Sequence, residues 1–294
     1  MIEEKIFEKF SNDRNPALNI VTEICVVDGK RTVKKRAYSK ESVEHIQRMH
    51  TWSNKLKSRF ENTGIKLSPC RLEEDAVTFE YIEGVTLESI LDECIADDNK
   101  EKFFRLLEEY IEKVKKIYAP EPFHVSEDFE KVFGQVNLED GIPATRELDI
   151  DLIFPNLLVK GEGWTAIDYE WTFDFLIPIS FLFYRAAFFY LHNSPKRLDF
   201  CGHQLMEAFG ISESWQVQFR EMEHHFQANY VYGNHASLLA MYEEFGKECM
   251  TFDDYLQVRE NFSAAQIKID ALENSTSWKV TKPLRMMVEK VRKS

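Results

Sequence analysis

The chain has 294 residues, 44% hydrophobic and 30% charged, which is enough apolar mass for one large domain or two smaller lobes with a proper core. A net charge of -13 argues against a general nucleic-acid binder, because neutralising phosphates takes clustered Lys and Arg. Five cysteines without a CxxC pairing make a disulfide framework or zinc knuckle a poor reading and fit a reducing cytosol.

The opening MIEEKIFEKF has acids where a secretory leader needs a basic start and an apolar core, so no targeting segment is expected there. Ile20 to Val27 and Arg31 to Tyr38 are β-rich runs around Asp28-Gly29, a hairpin turn signal. A helix is predicted from about Lys40 to Phe60, with Val43, Ile46, Met49, His50, Leu56 and Phe60 along its apolar stripe. Short strands follow near Leu67 to Leu72 and Ala76 to Ile82, and FEYIEG then turns into a helical TLESILDE. Lys100 to Tyr118 is amphipathic and stops at Pro120 and Pro122.

Further helices are predicted at Ile179 to His192, Leu198 to Phe209, Ser214 to Tyr232, His235 to Phe245 and Phe252 to Asn274. The apolar run Phe175 to Leu191 contains Pro178 and Arg185, so it reads as a buried core helix, not a membrane span. The expected class is α+β. A β-rich lobe over 1–83 is followed by a larger helical lobe over 84–250, then a C-terminal helix and basic tail over 251–294.

The stretch from Glu147 to Phe173 carries the chemistry. Leu157 to Val159 and Trp164 to Ile167 flank a Lys-Gly-Glu-Gly turn and read as paired strands. Asp151 and Asn156 precede the first strand, and Asp168 closes the second. Three oxygen ligands placed this way suit Mg²⁺ carrying a nucleotide phosphate. Phosphoryl transfer needs held phosphates, a placed metal and an acceptor hydroxyl aimed in line. In that scheme Asn156 and Asp168 hold the metal, and Asp151 orients the hydroxyl and accepts its proton. Asp149 competes with Asp151, but only Asp151 has the five-residue offset to Asn156.

A lysine on the small lobe would neutralise the phosphates. Lys34 and Lys35 alternate faces of one strand, and Lys35 shares its face with Val33, which could line an adenine pocket. Lys35 is therefore the choice, and its carboxylate partner is expected from the next helix, Glu44 ahead of Glu41. Glu170 is read either as a contact to a second metal or the acceptor, or as a group that only positions Arg185.

DLIFPNLLV resembles the DLxxxNxLV catalytic loop of the protein-kinase-like superfamily, in its small-molecule branch of choline and aminoglycoside kinases, and IDYEW resembles that branch's metal-binding motif. The resemblance spans roughly Ile20 to Tyr190. It implies a bilobal fold, ATP and Mg²⁺ as cofactors, and a hinge at FEYIEG where backbone groups of Glu80 and Ile82 meet the adenine edge. IDLIFPN, IDYEWTFDF and IPISFLFYR together resemble kinase domains attached to bacterial surface-polysaccharide enzymes, including the methyltransferase-kinases that cap O-antigen chains. NSTSWKVTKPLR resembles a linker phrase of multidomain bacterial glycosyltransferases.

The chain departs from the common pattern in three places. No GxGxxG precedes the lysine, and SNDRNPALN stands where such a loop could cover the phosphates. Asp149-Ile150 replaces the usual pair before Asp151. Little room remains after IDYEW for the long activation segment of a protein kinase.

The expectation is an ATP/Mg-dependent kinase acting on a sugar hydroxyl of a surface glycan or its lipid-linked precursor. Glycosyltransferase or methyltransferase partners and a place at the cytoplasmic face of the membrane go with it. The alternative is a catalytically inactive docking module. Trp278 to Ser294 has six basic residues and one acid, and a helix after Pro283 could lie on an anionic membrane surface, bind a partner, or link to another domain.

Overall fold

Asp28 and Gly29 both adopt left-handed φ, 50° and 76°, as a tight two-residue hairpin turn requires. In this computed structural model they join strands β2 (Ile20–Val27) and β3 (Lys30–Ala37), paired in register from Ile20↔Ala37 to Val27↔Lys30. The structure describes residues 3–161, 163–233, 252–275, 278–279 and 281. The predicted helix at His235 to Phe245 and nearly all of the basic tail lie outside them.

A strand without a counterpart in the sequence reading, β1 (Glu3–Ser11), forms the outer edge beside β2. Glu3, Glu4, Lys5, Glu8 and Lys9 put charge along this edge, which disfavours pairing with another chain. Helix α1 (Val43–Leu56) follows β3, then β4 (Ile65–Leu67), β5 (Cys70–Glu73) and β6 (Ala76–Glu80). The N-terminal sheet is antiparallel throughout, in the order β1-β2-β3-β6-β5. Ile46, Met49 and Leu56 of α1 share a buried cluster with Val77 and Phe79 of β6. The single strand expected near Leu67 to Leu72 is divided between two sheets: β4 leaves to pair with a strand of the later hairpin, and β5 stays with β6.

After β7 (Val85–Thr86) the chain becomes mostly helical, with α2 (Leu87–Ala96) and α3 (Lys100–Ile117). The side chains of Thr86 and Asn99 cap these two helices. Then come β8 (Glu121–Pro122), α4 (Glu127–Phe133), β9 (Pro143–Thr145) and β10 (Leu148–Asp149). The predicted hairpin forms as β11 (Leu157–Lys160) and β12 (Gly163–Ala166). Short strands β13 (Thr172–Phe173) and β14 (Ile177–Pro178) lead into α5 (Ile179–His192), α6 (Pro195–Ala208), α7 (Glu213–His225) and a π-helical turn, Phe226–Val231.

β4 runs parallel to β12, pairing Ile65 with Trp164, while β7 pairs with β11, so the hairpin is held between the two segments that bracket β5 and β6 in sequence. The core of the helical part is aromatic. Phe133 meets Phe181, Phe173 and Phe226 at centroid separations of 5.2, 5.8 and 5.8 Å.

The observed class is α+β, β-rich at the N-terminus and helical beyond it, in the bilobal order expected. The chain divides into two compact units, 1–237 and 238–294, and the second contributes helix α8 (Phe252–Asn274). No described helix is long and apolar enough to cross a membrane. Among the described residues, Cys70, Cys94 and Cys201 are free thiols.

Candidate active site

Lys35 and Lys34 separate as strand alternation requires. Lys34 faces outward and pairs with Glu73 at 3.0 Å, whereas Lys35 is buried, with Nζ 2.5 Å from Asp168 Oδ1 and 3.3 Å from Glu170 Oε2. Burial alone would lower the lysine's pKa, but the two carboxylates outweigh it and hold the ammonium above its usual value.

Glu44, expected as the partner of Lys35, is exposed on α1 and does not take that role. The buried face of α1 carries His45, Ile46, Met49, Trp52 and Leu56, a rotation from the Val43–His50 stripe anticipated, and this turns position 44 to solvent. His45 instead points inward, its Nε2 3.0 Å from Glu170 Oε1.

Glu170 is the hub of the charge cluster. Arg14, Lys35 and His45 all converge on its buried carboxylate. Burial would raise its pKa, yet Arg14 and Lys35 hold it well below the usual carboxylate range. It does not position Arg185, which belongs to a separate network.

Asp151, Asn156 and Asp168 are connected by the backbone. Asn156 Nδ2 donates to the Asp151 carbonyl at 2.9 Å, and the Ile167 amide donates to the Asn156 carbonyl at 2.9 Å, fixing the residue before Asp168. Asp168 itself takes φ 58°. Asp151 Oδ1 accepts from Arg185 Nη2 at 2.7 Å, and its backbone amide donates to Asp149 Oδ1 at 3.0 Å. Asp149 is fully buried, which holds its carboxyl well above the usual range and keeps it from meeting an acceptor. Burial also pushes Asp151 up; Arg185 opposes this, Asp168 adds to it, and the result is about 6.

Asn156 commits its amide nitrogen to the Asp151 carbonyl, so Oδ1 is the atom left for a cation, and the Asp168 side chain is 35% exposed. One neutral oxygen and one carboxylate suit Mg²⁺, which keeps waters and takes substrate phosphates as further ligands. Among the described residues no group of three His, Cys, Asp or Glu could hold a metal unaided.

A cavity of about 310 Å³ runs from the segment after β6 to this cluster. Val33, Phe79, Ile82, Leu158 and Ile167 wall it, and Lys35 and Asp168 line it as well. Glu80 and Ile82, expected at the adenine edge, both line it. Gly84 allows a close approach here, because a Cβ would lie 3.3 Å from the Val159 carbonyl oxygen and from Leu158 Cβ and would push the hairpin back by a few tenths of an ångström.

The β1–β2 loop supplies a cation the sequence reading did not single out. Arg14 Nη1 lies 2.5 Å from Glu170 Oε1, and its guanidinium sits 5.3 Å from the Trp171 ring centroid. Arg185 was also passed over as a functional group, although it is the lone charge in the run Phe175 to Leu191. A solitary charge in an apolar helix needs buried partners, and that signal could have found it. Its partners are Asp151, the Ile150 carbonyl and Glu223.

No family model and no curated protein sequence matches the chain. Solved structures to which the chain is similar include the macrolide 2'-phosphotransferase MphH from Brachybacterium faecium, at 9% identity and TM-score 0.36, covering 72% of this chain and 83% of that one. APH(2")-IIa in a ternary complex with streptomycin and ATP is similar at 10% identity and TM-score 0.40, over 68% and 89% of the two chains. A type I macrolide 2'-phosphotransferase is similar at 12% identity and TM-score 0.37, over 74% and 82%.

Proposed function

We propose that this chain is an ATP- and Mg²⁺-dependent phosphotransferase acting on a hydroxyl acceptor. The observation that carries the reading is the meeting of Lys35, Asp168, Asn156 and Asp151 beside an apolar cavity of about 310 Å³, a size suited to an adenine ring and its sugar. The backbone of Glu80 and Ile82 would face the adenine, and Lys35 the phosphates. Asn156 and Asp168 would hold Mg²⁺, which when bound neutralises phosphate oxygens.

The acceptor hydroxyl would lie against Asp151. Its proton passes to the Asp151 carboxylate while its oxygen forms a bond to the terminal phosphorus. The bond from that phosphorus to the bridging oxygen breaks, and ADP leaves with the electron pair. Arg185 keeps Asp151 in place and opposes its protonation.

Only β13 and β14 separate Asp168 from α5, leaving no long segment for docking a peptide, so a small-molecule or glycan hydroxyl fits better than a protein. Within that class we favour a sugar hydroxyl of a bacterial surface polysaccharide, a choice resting on the strings IDLIFPN, IDYEWTFDF and IPISFLFYR. This choice goes with partner glycosyltransferases or methyltransferases and a cytoplasmic site near the membrane. The glycine-free loop before β2 favours a second reading, a kinase-like docking module without turnover.

Incubating the protein with ATP, Mg²⁺ and candidate glycans, beside an Asp151→Ala control, separates the two. Phosphate transfer that disappears in the control supports the kinase. Absence of ATP binding, or transfer unchanged in the control, rejects it.

A further inference from the structure

The loop from Ser11 to Asn19 contains no glycine, yet a set of hydrogen bonds holds its backbone in place. Pro16 opens a 3-10 turn, Pro16–Leu18, whose preceding Asn15 accepts from the Ala17 amide at 3.2 Å. Asn19 is buried beneath the loop. In the amide orientation that satisfies both of its ends, its nitrogen donates to the carbonyls of Ser11, Arg14 and Asn15 at 3.2, 2.8 and 3.2 Å. The Asn15 amide crosses to the helical part and donates to the Val231 carbonyl at 2.7 Å, at the end of the π-helical turn. These bonds leave one side chain of the loop projecting into the charge cluster, Arg14.

Arg14 reaches the same carboxylate that Lys35 and His45 reach, and it stands close enough to feel the charges of Asp168 and Asp151 as well. Its side chain keeps 20% of its surface exposed, and the guanidinium offers five N–H donors, while the described contacts engage one nitrogen, Nη1. A glycine-rich loop contacts phosphates through backbone amides. Here the same stretch of chain instead delivers a planar cation, suited to two-point contact with phosphate oxygens.

We propose that Arg14 is a catalytic residue that binds the phosphoryl group in transit, doing with a guanidinium what a glycine-rich loop does with backbone amides. This rests on the phosphotransferase reading above. Glu170 is the docking carboxylate that holds Arg14 in reach, and the Asn15–Val231 bond ties the loop to the helical part. The transition state spreads charge over the oxygens of the moving group, so a cation placed there lowers the barrier more than it strengthens ground-state nucleotide binding.

The test compares full-length wild type with Arg14→Ala and Arg14→Lys. Binding of ADP·Mg²⁺ is measured with and without aluminium fluoride, which mimics the phosphoryl group in flight, and the turnover of ATP is split into kcat and KM. The expected result is ADP affinity within about twofold of wild type in both variants. The tightening by aluminium fluoride should fall, and kcat should drop by about 100-fold or more in Arg14→Ala, the scale for losing one donor to a developing charge.

Arg14→Lys should recover part of both effects, and added guanidinium should partly rescue Arg14→Ala. Should Arg14→Ala fail to fold, Arg14→Lys and Arg14→Gln carry the comparison. Equal aluminium fluoride tightening and equal kcat in wild type and folded variants overturn the role of Arg14 alone. A wild type that binds no nucleotide overturns the phosphotransferase reading and this inference with it.

Discussion

Arg185 Nη2 lies 2.7 Å from Asp151 Oδ1, and both side chains are largely withdrawn from solvent. The other faces of the guanidinium are taken by the Ile150 carbonyl and Glu223, and the rings of Phe189 and Phe226 flank it at 5.1 and 5.3 Å. The orientation of Asp151 is thus set by helices α5 and α7, far along the chain from the loop that bears it.

The first prediction concerns pH. A base works only when ionised, and Asp151 is placed at about 6, so kcat/KM should rise as pH increases through about 6 and level off above it. Asp151→Asn should lose that limb and slow transfer by about 100- to 10,000-fold, the range for general-base catalysis. A full-length pH profile of both proteins checks it, and an unchanged limb in the variant would remove Asp151 from the role of base.

The second concerns the buried cation. Arg185→Met strands Asp151 and Glu223 without a counter-charge, and breaking a buried ion pair on one side costs about 3–5 kcal/mol. Urea unfolding should show that loss. Arg185→Met combined with Glu223→Gln and Asp151→Asn should recover much of it, because no unpaired charge is then left inside.

Glu170 makes a third prediction with a definite sign. Its folded pKa is depressed below the unfolded value, so its stabilisation is complete above the ordinary carboxylate range, near pH of about 4.3, and is lost as pH falls toward the folded value. Glu170→Gln should therefore melt well below wild type at pH 7, and the gap should close as the solution is made acid. Melting curves from about pH 7 down to about pH 2 read it directly, since the loss falls between about pH 5 and the folded value. A gap independent of pH would mean that the cluster stabilises through shape and not charge.

A fourth tests the cavity. Leu158 is partly exposed and lines the cavity wall opposite the N-terminal sheet, so Leu158→Trp should fill the space without straining the core. ATP affinity should fall by about tenfold or more, equivalent to about 1.4 kcal/mol, with the melting temperature nearly unchanged. Calorimetry alongside a melt distinguishes this from unfolding.

The features read correctly from the sequence are local ones. The Asp28-Gly29 turn, strand β2 and helices α5 and α8 all stand where periodicity and turn chemistry place them, because each signal lies within a few residues of itself. The line from Asp151 through Asn156 to Asp168 was visible for the same reason: one loop and one hairpin hold all three. Strand β1 was not visible, since a charged edge strand shows no clean alternation, and its place comes from pairing with β2.

The partners of those residues were decided by the tertiary structure. Lys35 meets Asp168 across 133 residues, and Arg14 meets Glu170 across 156. No sequence period connects positions so far apart. A small rotation of α1 put His45 inside and Glu44 outside, and this decided which carboxylate the lysine would find. The sequence by itself determined that a lysine, two aspartates and an asparagine were available, the last three within one loop and one hairpin. Which charges actually touch was settled only when two distant parts of the chain buried them together, because a buried charge must find a counter-charge within a few ångströms, and only packing determines what lies that close.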